Sequence, residues 1–424
     1  MVAAILVICC AIPFSPILAI VGAAFEGKSG NSSQGKIGAP SSQLETFEVE
    51  KMLRGAPALP SSELVGSVND MLREQTALAQ GHAGAALNLK RAMKKIATLL
   101  SQSDIRTMSI QDEDAAVTYA LSGGSPEVLQ RLLSQSKRDL QRQSLYSASL
   151  EFSNGNLDLA SQKLAGVEPW HFQNLLGARA AMLKAQVSKK LPYAQRYSLL
   201  SGAANRALGT LIEEAATRRL ISLAAAGSEN LDFVYWTTRY ERRFPKSVYF
   251  DEFWSSATGS IFDLENQSRR LSVTQIADIL RFLPKSEIWT RLEAFIIKSL
   301  EEGRPRLCGI AVAEATKRIV VTERDVARLR LFDAACSVSD NPAAVANAIA
   351  SVSGEGLNSD DSDLLAAVKQ LARGILATNK PWLPSVGIIG PQLPFSGFEM
   401  VRKKSASITQ QFDVIDKLIK RAAP

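Results

Sequence analysis

Helix-start signals recur along the whole chain, and no run of alternating apolar and polar residues long enough for several strands interrupts them. Ser125-Pro126-Glu127 places a serine N-cap before a proline and an acid, all at positions that a first helical turn favours. Similar starts recur later in the chain: Thr210 with Glu213, Ser272 with Gln275, Thr322 with Asp325, and Asn341-Pro342. This punctuation predicts an all-α fold.

The helices are short and closely spaced, which predicts hairpins. The stretch 145–169 resembles one tetratricopeptide unit, with Gly155 in the turn and Pro169 closing the second helix. We therefore expect a helical-hairpin (tetratricopeptide-like) repeat array. Its N-terminal helical repeat region covers 63–270 and its C-terminal helical region covers 271–380.

The N-terminal stretch has the pattern of an export signal. No charged side chain occurs from Met1 to Phe25, and the small residues of 21–24 end the apolar part. Pro13 and Pro16 interrupt the stretch, which disfavours the alternative of a permanent membrane anchor. We expect a signal peptide at 1–24, a periplasmic mature protein and no stable membrane insertion of the mature chain.

Further segments depart from the helical pattern. Residues 25–62 are rich in Gly, Ser and Pro and predict a flexible polar tether. Residues 381–398 predict a Pro-rich loop, either laid across the array or available as a docking segment for a partner. Residues 399–424 predict a terminal amphipathic helix that caps the array, with membrane or partner binding as the alternative.

The search for catalytic and metal-binding motifs finds little. The chain has two histidines and four cysteines, and it lacks a P-loop, a G-x-S-x-G and an H-E-x-x-H. Ser134 and Lys137 match S-x-x-K without its partner motifs, and neither His82 nor His171 has a catalytic neighbour. We therefore predict no enzyme activity, no catalytic residue, no metal site and no cofactor.

Glu213-Glu214 and Arg218-Arg219 could form a carboxylate site, but their spacing fits ion pairs along a capped, charge-laced helix better.

The overall charge of the chain does not indicate a specific partner. Forty-nine Lys and Arg against forty-two Asp and Glu give +7, and the charges are interspersed. We interpret them as a solvated basic surface and expect no nucleic-acid partner.

Cys308 and Cys336 are the cysteines left once the signal is removed. They lie equally far in sequence from Thr322, the predicted cap between helices at 305–320 and 323–337. In a symmetric antiparallel hairpin they would face each other, and an oxidising compartment favours their pairing. We predict a disulfide, with two buried free thiols as the alternative.

Three further stretches of the chain are distinctive: 116–129 (AVTYALSGGSPEVL), 208–219 (LGTLIEEAATRR) and 240–249 (YERRFPKSVY). Together they resemble the MotC family of periplasmic motility proteins from rhizobia and related alphaproteobacteria. Leu208 departs from the family pattern, which has a proline there. The resemblance implies a non-enzymatic accessory of the flagellar motor that binds the periplasmic domain of the stator protein MotB and supports torque generation.

Two other functions stay open at this point. Lytic transglycosylases also combine an exported α-helical superstructure with a basic surface, although such a cell-wall enzyme needs a catalytic glutamic acid in a compact domain. A generic periplasmic repeat adaptor, unrelated to motility, is the second alternative.

Overall fold

The computed structural model describes residues 62–378, apart from short gaps at 83, 136–137, 268–269, 285, 319–321, 351 and 353–356. All regular secondary structure in this part of the chain is helical. The predicted all-α class is thus confirmed. The predicted signal peptide, tether, Pro-rich loop and terminal helix lie outside the described residues, except for Ser62 at the end of the tether.

The α-helices follow one another with short connections. The first six are α1 (Glu63–Ala79), α2 (Ala85–Gln102), α3 (Ile110–Leu121), α4 (Glu127–Gln135), α5 (Leu140–Ser153) and α6 (Leu157–Leu164). The next six are α7 (Asn174–Val187), α8 (Tyr193–Arg206), α9 (Leu211–Ala226), α10 (Asn230–Arg243), α11 (Phe250–Glu265) and α12 (Val273–Arg281). The last are α13 (Ile288–Glu301), α14 (Pro305–Arg318), α15 (Glu323–Ser337), α16 (Pro342–Ala350) and α17 (Ser359–Thr378).

Helices pack chiefly against their neighbours in sequence. Adjacent pairs include α5 with α6, α7 with α8, α8 with α9, α9 with α10, α13 with α14, and α16 with α17. Other pairs skip one helix, such as α7 with α9, α10 with α12, and α15 with α17. Successive contacts of this kind are the geometry of a helical-hairpin repeat array, as predicted.

The described residues form two compact units. The N-terminal unit contains the residues up to Glu74 together with Leu87–Glu168, and the C-terminal unit contains Gln75–Ala86 together with the residues from Pro169 onward. The regions expected from sequence met at 270–271, whereas the units divide at Glu168 and Pro169. A continuous apolar core runs through the C-terminal unit from Ala178 to Cys336.

Local side-chain chemistry explains where the helices begin. Ser272 with Gln275 and Thr322 with Asp325 form the predicted capping boxes, and Ser109 with Asp112 forms another. Alanines such as Ala181, Ala204 and Ala216 are fully buried, so that α7, α8 and α9 approach closely. Among the described helices none is long and apolar enough to cross a membrane.

Candidate functional site

A buried cluster of charged side chains joins the start of α9 to the end of α10. Glu213 is fully buried. Its carboxylate accepts hydrogen bonds from the Gly209 backbone N–H at 2.6 Å, from Arg239 Nη2 at 3.0 Å and from Arg243 Nη2 at 2.8 Å. One carboxylate therefore holds two guanidinium groups of the neighbouring helix and one end of its own helix.

This arrangement corrects two details of the sequence interpretation. In the expected capping box Thr210 accepts from Glu213 N–H; instead it accepts from Ile212 N–H at 3.2 Å, and the Glu213 carboxylate accepts from Gly209. Glu213 was also expected to form ion pairs along its own charge-laced helix. It is buried because α10 brings two arginines to it, which a view confined to one helix does not include.

Glu214 is likewise buried and lies among polar groups of the third resemblance stretch. Its Oε1 accepts from the hydroxyls of Tyr240, at 2.6 Å, and Ser247. Burial raises the pKa of Glu214, while these hydrogen bonds and the charge of Arg218 act in the opposite direction. Burial also raises the pKa of Tyr240, with the adjacent Glu214 carboxylate adding to the effect. The Tyr240 hydroxyl therefore keeps its proton and donates a hydrogen bond to Glu214.

Glu241, the next residue on α10, is 1% exposed, and neither of its carboxylate oxygens has a hydrogen-bond partner among the described residues. Burial raises its pKa well above the ordinary value, against the opposing charges of Arg318, Arg242 and Arg291. A raised pKa suits a glycosidase general acid, but a side chain so enclosed cannot reach a substrate. Glu241 is therefore no candidate for the catalytic acid of a cell-wall enzyme.

On its outer side α10 presents a surface strip, here called the α10 strip, which consists of Leu231, Tyr235, Arg239 and Arg243. Spacing of four residues places them along one gradually winding helix face. Leu231 is 80% exposed and Tyr235 50%, whereas Arg239 is mostly buried and Arg243 half-exposed. The sequence interpretation missed this strip, although its regular spacing was visible.

Fixed contacts hold the aromatic part of the α10 strip. The ring of Tyr235 meets that of Trp236 edge to face, with centroids 4.9 Å apart, and Arg239 Nη1 donates to the Tyr235 hydroxyl at 3.4 Å. Trp236 is itself buried, and its Nε1 donates to the Tyr197 hydroxyl at 3.3 Å. The half-exposed ring of Tyr235 is thus held against the buried side chain of Trp236.

The N-terminal unit contains a similar combination of acid, arginine and tyrosine. Buried Glu113 accepts from Arg138 Nε at 3.0 Å and from the Tyr146 hydroxyl at 2.9 Å. Its neighbour Asp114 pairs with Arg142. Acids paired with arginines from later in the chain thus occur in both units, and their presence alone does not mark a catalytic centre.

The other residues singled out in the sequence do not assemble into a site. Ser134 Oγ donates to the backbone carbonyl of Arg131 at 3.0 Å, and Lys137 lies outside the described residues. His82 and His171 are both exposed. In the described part of the chain, no group of His, Cys, Asp or Glu could hold a metal ion.

Cys308 on α14 and Cys336 on α15 are joined as a disulfide, with their Cα atoms 5.5 Å apart. Both side chains belong to the core of the C-terminal unit. The geometry suits the pairing expected from the sequence, and the oxidation state in the cell stays a prediction.

The three resemblance stretches have clear structural roles. Gly123 has a φ of 93° at the end of α3, and a Cβ on Gly124 would overlap the ring of Tyr119. Phe244-Pro245 follows the last residue of α10. The second and third stretches, 208–219 and 240–249, meet in the buried charged cluster, while the first, 116–129, belongs to the N-terminal unit.

Comparisons with known proteins agree on one family. A family model described as "MotC: Chemotaxis protein MotC" matches residues 68–413. The Chemotaxis protein MotC of Rhizobium meliloti (strain 1021) is 29% identical over 141 residues, which is 33% of this chain and 32% of that relative. The alignment thus spans about a third of the relative's length. No solved structure matches the chain.

Proposed function

Because the chain belongs to the MotC family of chemotaxis proteins, we propose that it is a periplasmic, non-enzymatic accessory of the flagellar motor. In this role it binds the periplasmic part of the stator protein MotB and supports torque generation. The family match over residues 68–413 carries the proposal. A helical repeat array supports it, because such arrays offer extended surfaces for protein partners.

The chemistry of the buried carboxylates also favours binding over catalysis. Glu213 and Glu214 are occupied by arginines, hydroxyls and a backbone N–H, and Glu241 is enclosed. A catalytic acid must be accessible to its substrate, whereas these three side chains are at most 1% exposed. The best candidates for contact with a partner are therefore exposed residues such as Leu231 and Tyr235 of the α10 strip.

A deletion strain of the source organism tests the motility role. If the protein supports torque generation, the strain should assemble normal flagellar filaments that fail to rotate, and the intact gene supplied in trans should restore swimming. Electron microscopy counts the filaments, and tracking of tethered cells measures their rotation. Unchanged swimming, or a loss of the filaments themselves, would contradict the proposal.

A further inference from the structure

The α10 strip has the composition and the rigidity of a binding surface. Tyrosine, tryptophan and arginine dominate the energetics of protein interfaces, and here Tyr235 and Arg239 lie on buried Trp236. Because two contacts already fix Tyr235, it loses little conformational freedom when a partner covers it. Leu231, one helical turn away, adds an apolar side chain that is almost fully exposed.

The charge of the strip indicates what kind of partner fits it. Arg239 and Arg243 share the single carboxylate of Glu213, so this end of the strip keeps a surplus positive charge. Arg243 is the more exposed of the two arginines and presents that charge at the surface. A complementary partner therefore carries a carboxylate opposite Arg243 and apolar side chains opposite Leu231 and Tyr235.

We propose that the α10 strip is the docking surface for the partner, and that its occupant is an acidic segment with apolar side chains on one face. This inference rests on the proposed function, for which it names the binding surface and the chemistry of the bound segment. The surplus is a single charge, so only modest salt sensitivity is expected.

Substitutions of Leu231 test the surface with a closely matched control. Leu231 and Leu140 are both 80% exposed, and each lies in the first turn of a helix, α10 or α5. Leu231→Glu and Leu140→Glu therefore perturb folding alike, which thermal unfolding by circular dichroism checks. Leu231→Lys adds a charge of the opposite sign at the same place, and Tyr235→Ala removes the aromatic ring.

The probe is the purified periplasmic part of MotB from the same organism. Isothermal titration calorimetry measures its binding to the full mature chain. We expect Leu231→Glu and Tyr235→Ala to raise Kd about tenfold or more, because each alters an exposed apolar side chain of the α10 strip. Leu140→Glu should leave Kd unchanged, and Leu231→Lys should weaken binding less than Leu231→Glu does.

The outcomes separate this inference from the proposed function. If the wild-type chain binds and the variants at 231 and 235 bind equally well, the α10 strip is not the docking surface, while the proposed function stands. Equal losses for Leu231→Glu and Leu231→Lys would overturn the acidic character of the occupant. A wild-type chain that does not bind this probe would overturn the proposed partner, and the docking surface with it.

Discussion

At the scale of single residues, Glu241 gives the C-terminal unit a titratable group inside its core. Its pKa lies above the usual value of 4.5, so the folded chain keeps the proton to a higher pH than the unfolded chain does. The free energy of unfolding therefore falls as the pH rises above about 4.5, until the folded carboxyl ionises. Arg242 on the same helix, Arg291 on α13 and Arg318 on α14 limit this effect.

We expect Glu241→Gln to raise the stability of the C-terminal unit at neutral pH and to flatten its pH dependence. The slope difference between wild type and variant should reach at most about 1.4 kcal/mol per pH unit. Urea unfolding between about pH 5 and 8 measures it through tryptophan fluorescence, because no tryptophan precedes Trp170. Exposed Glu252→Gln is the control, and parallel pH profiles for Glu241→Gln and wild type would refute the expectation.

The ring of Tyr119 lies so close to the backbone at position 124 that only glycine fits there. An added Cβ would overlap the buried side chain of Tyr119, so Gly124→Ala should cost about 1–3 kcal/mol through overpacking. Gly66→Ala, within α1 of the same unit, meets nothing within 4 Å and should instead stabilise by about 0.5–1 kcal/mol. Circular dichroism in urea compares the two, and equal midpoints would contradict the packing explanation.

The sequence predicts residue roles well where the partner is local. Thr322 and Ser272 bond to the backbone three residues away, and both caps were predictable. Glu213 also seemed to have local partners, but its arginines come from the following helix. Only the packing of α10 against α9 decides whether Glu213 pairs with arginines of its own helix or of the next one. The spacing of residues within one helix does not encode that choice.

At the scale of helical elements, the Glu213 cluster fastens α9 to α10. Glu213→Gln removes the charge that Arg239 and Arg243 share. Broken buried pairs cost about 3–5 kcal/mol, and we expect a loss near the lower end because Arg243 is half-exposed. Asp278→Asn breaks the exposed pair with Arg281 and should cost less than about 1 kcal/mol. Fluorescence-monitored urea unfolding distinguishes them. Similar losses in both variants would mean that burial adds nothing to the cluster.

A covalent bond, the disulfide between Cys308 and Cys336, links α14 to α15. The cysteines are 28 residues apart in sequence, so closing this loop should stabilise the fold by about 3–4 kcal/mol in the chain-entropy model. Thiol titration of the denatured, unreduced mature protein should detect no free thiol. Two reactive thiols per chain would show that the bond does not form in the cell.

Element positions were largely predictable because helix caps and apolar spacing are local properties. The antiparallel hairpin of α14 and α15 follows from the cap at Thr322 and from the apolar faces on either side of it. The α10 strip was not predicted, because the sequence alone does not distinguish an exposed Leu or Tyr from one in the core. Its exposure becomes evident only once the buried face of α10 is known.

At the scale of the whole molecule, the N-terminal stretch predicts export of the chain. An uncharged apolar stretch that ends in small residues should direct the chain across the inner membrane and then be removed. Cell fractionation with N-terminal sequencing should find a periplasmic protein that begins near Ala24 or Phe25. Full-length chain retained in the inner membrane would contradict this and favour the anchor.

The fold class and the family were accessible from sequence, but the division into units was not. Periodicity predicts that helices pair, yet it does not show which pairs share a core. The turn at Gly81 shows why, since a Cβ there would lie 2.6 Å from the carbonyl oxygen of Lys246, far along the chain. No cap or composition change announces such a distant contact.

The order in which the chain visits its two units limits how the gene can be divided. The polypeptide changes unit after Glu74, after Ala86 and again after Glu168, so each unit is assembled from separate stretches. A gene split between Glu168 and Pro169 yields two chains, of which the second lacks the Gln75–Ala86 piece of its own unit. The first chain carries every stretch of the N-terminal unit, whereas the second cannot complete the C-terminal unit without the Gln75–Ala86 piece that the first chain keeps.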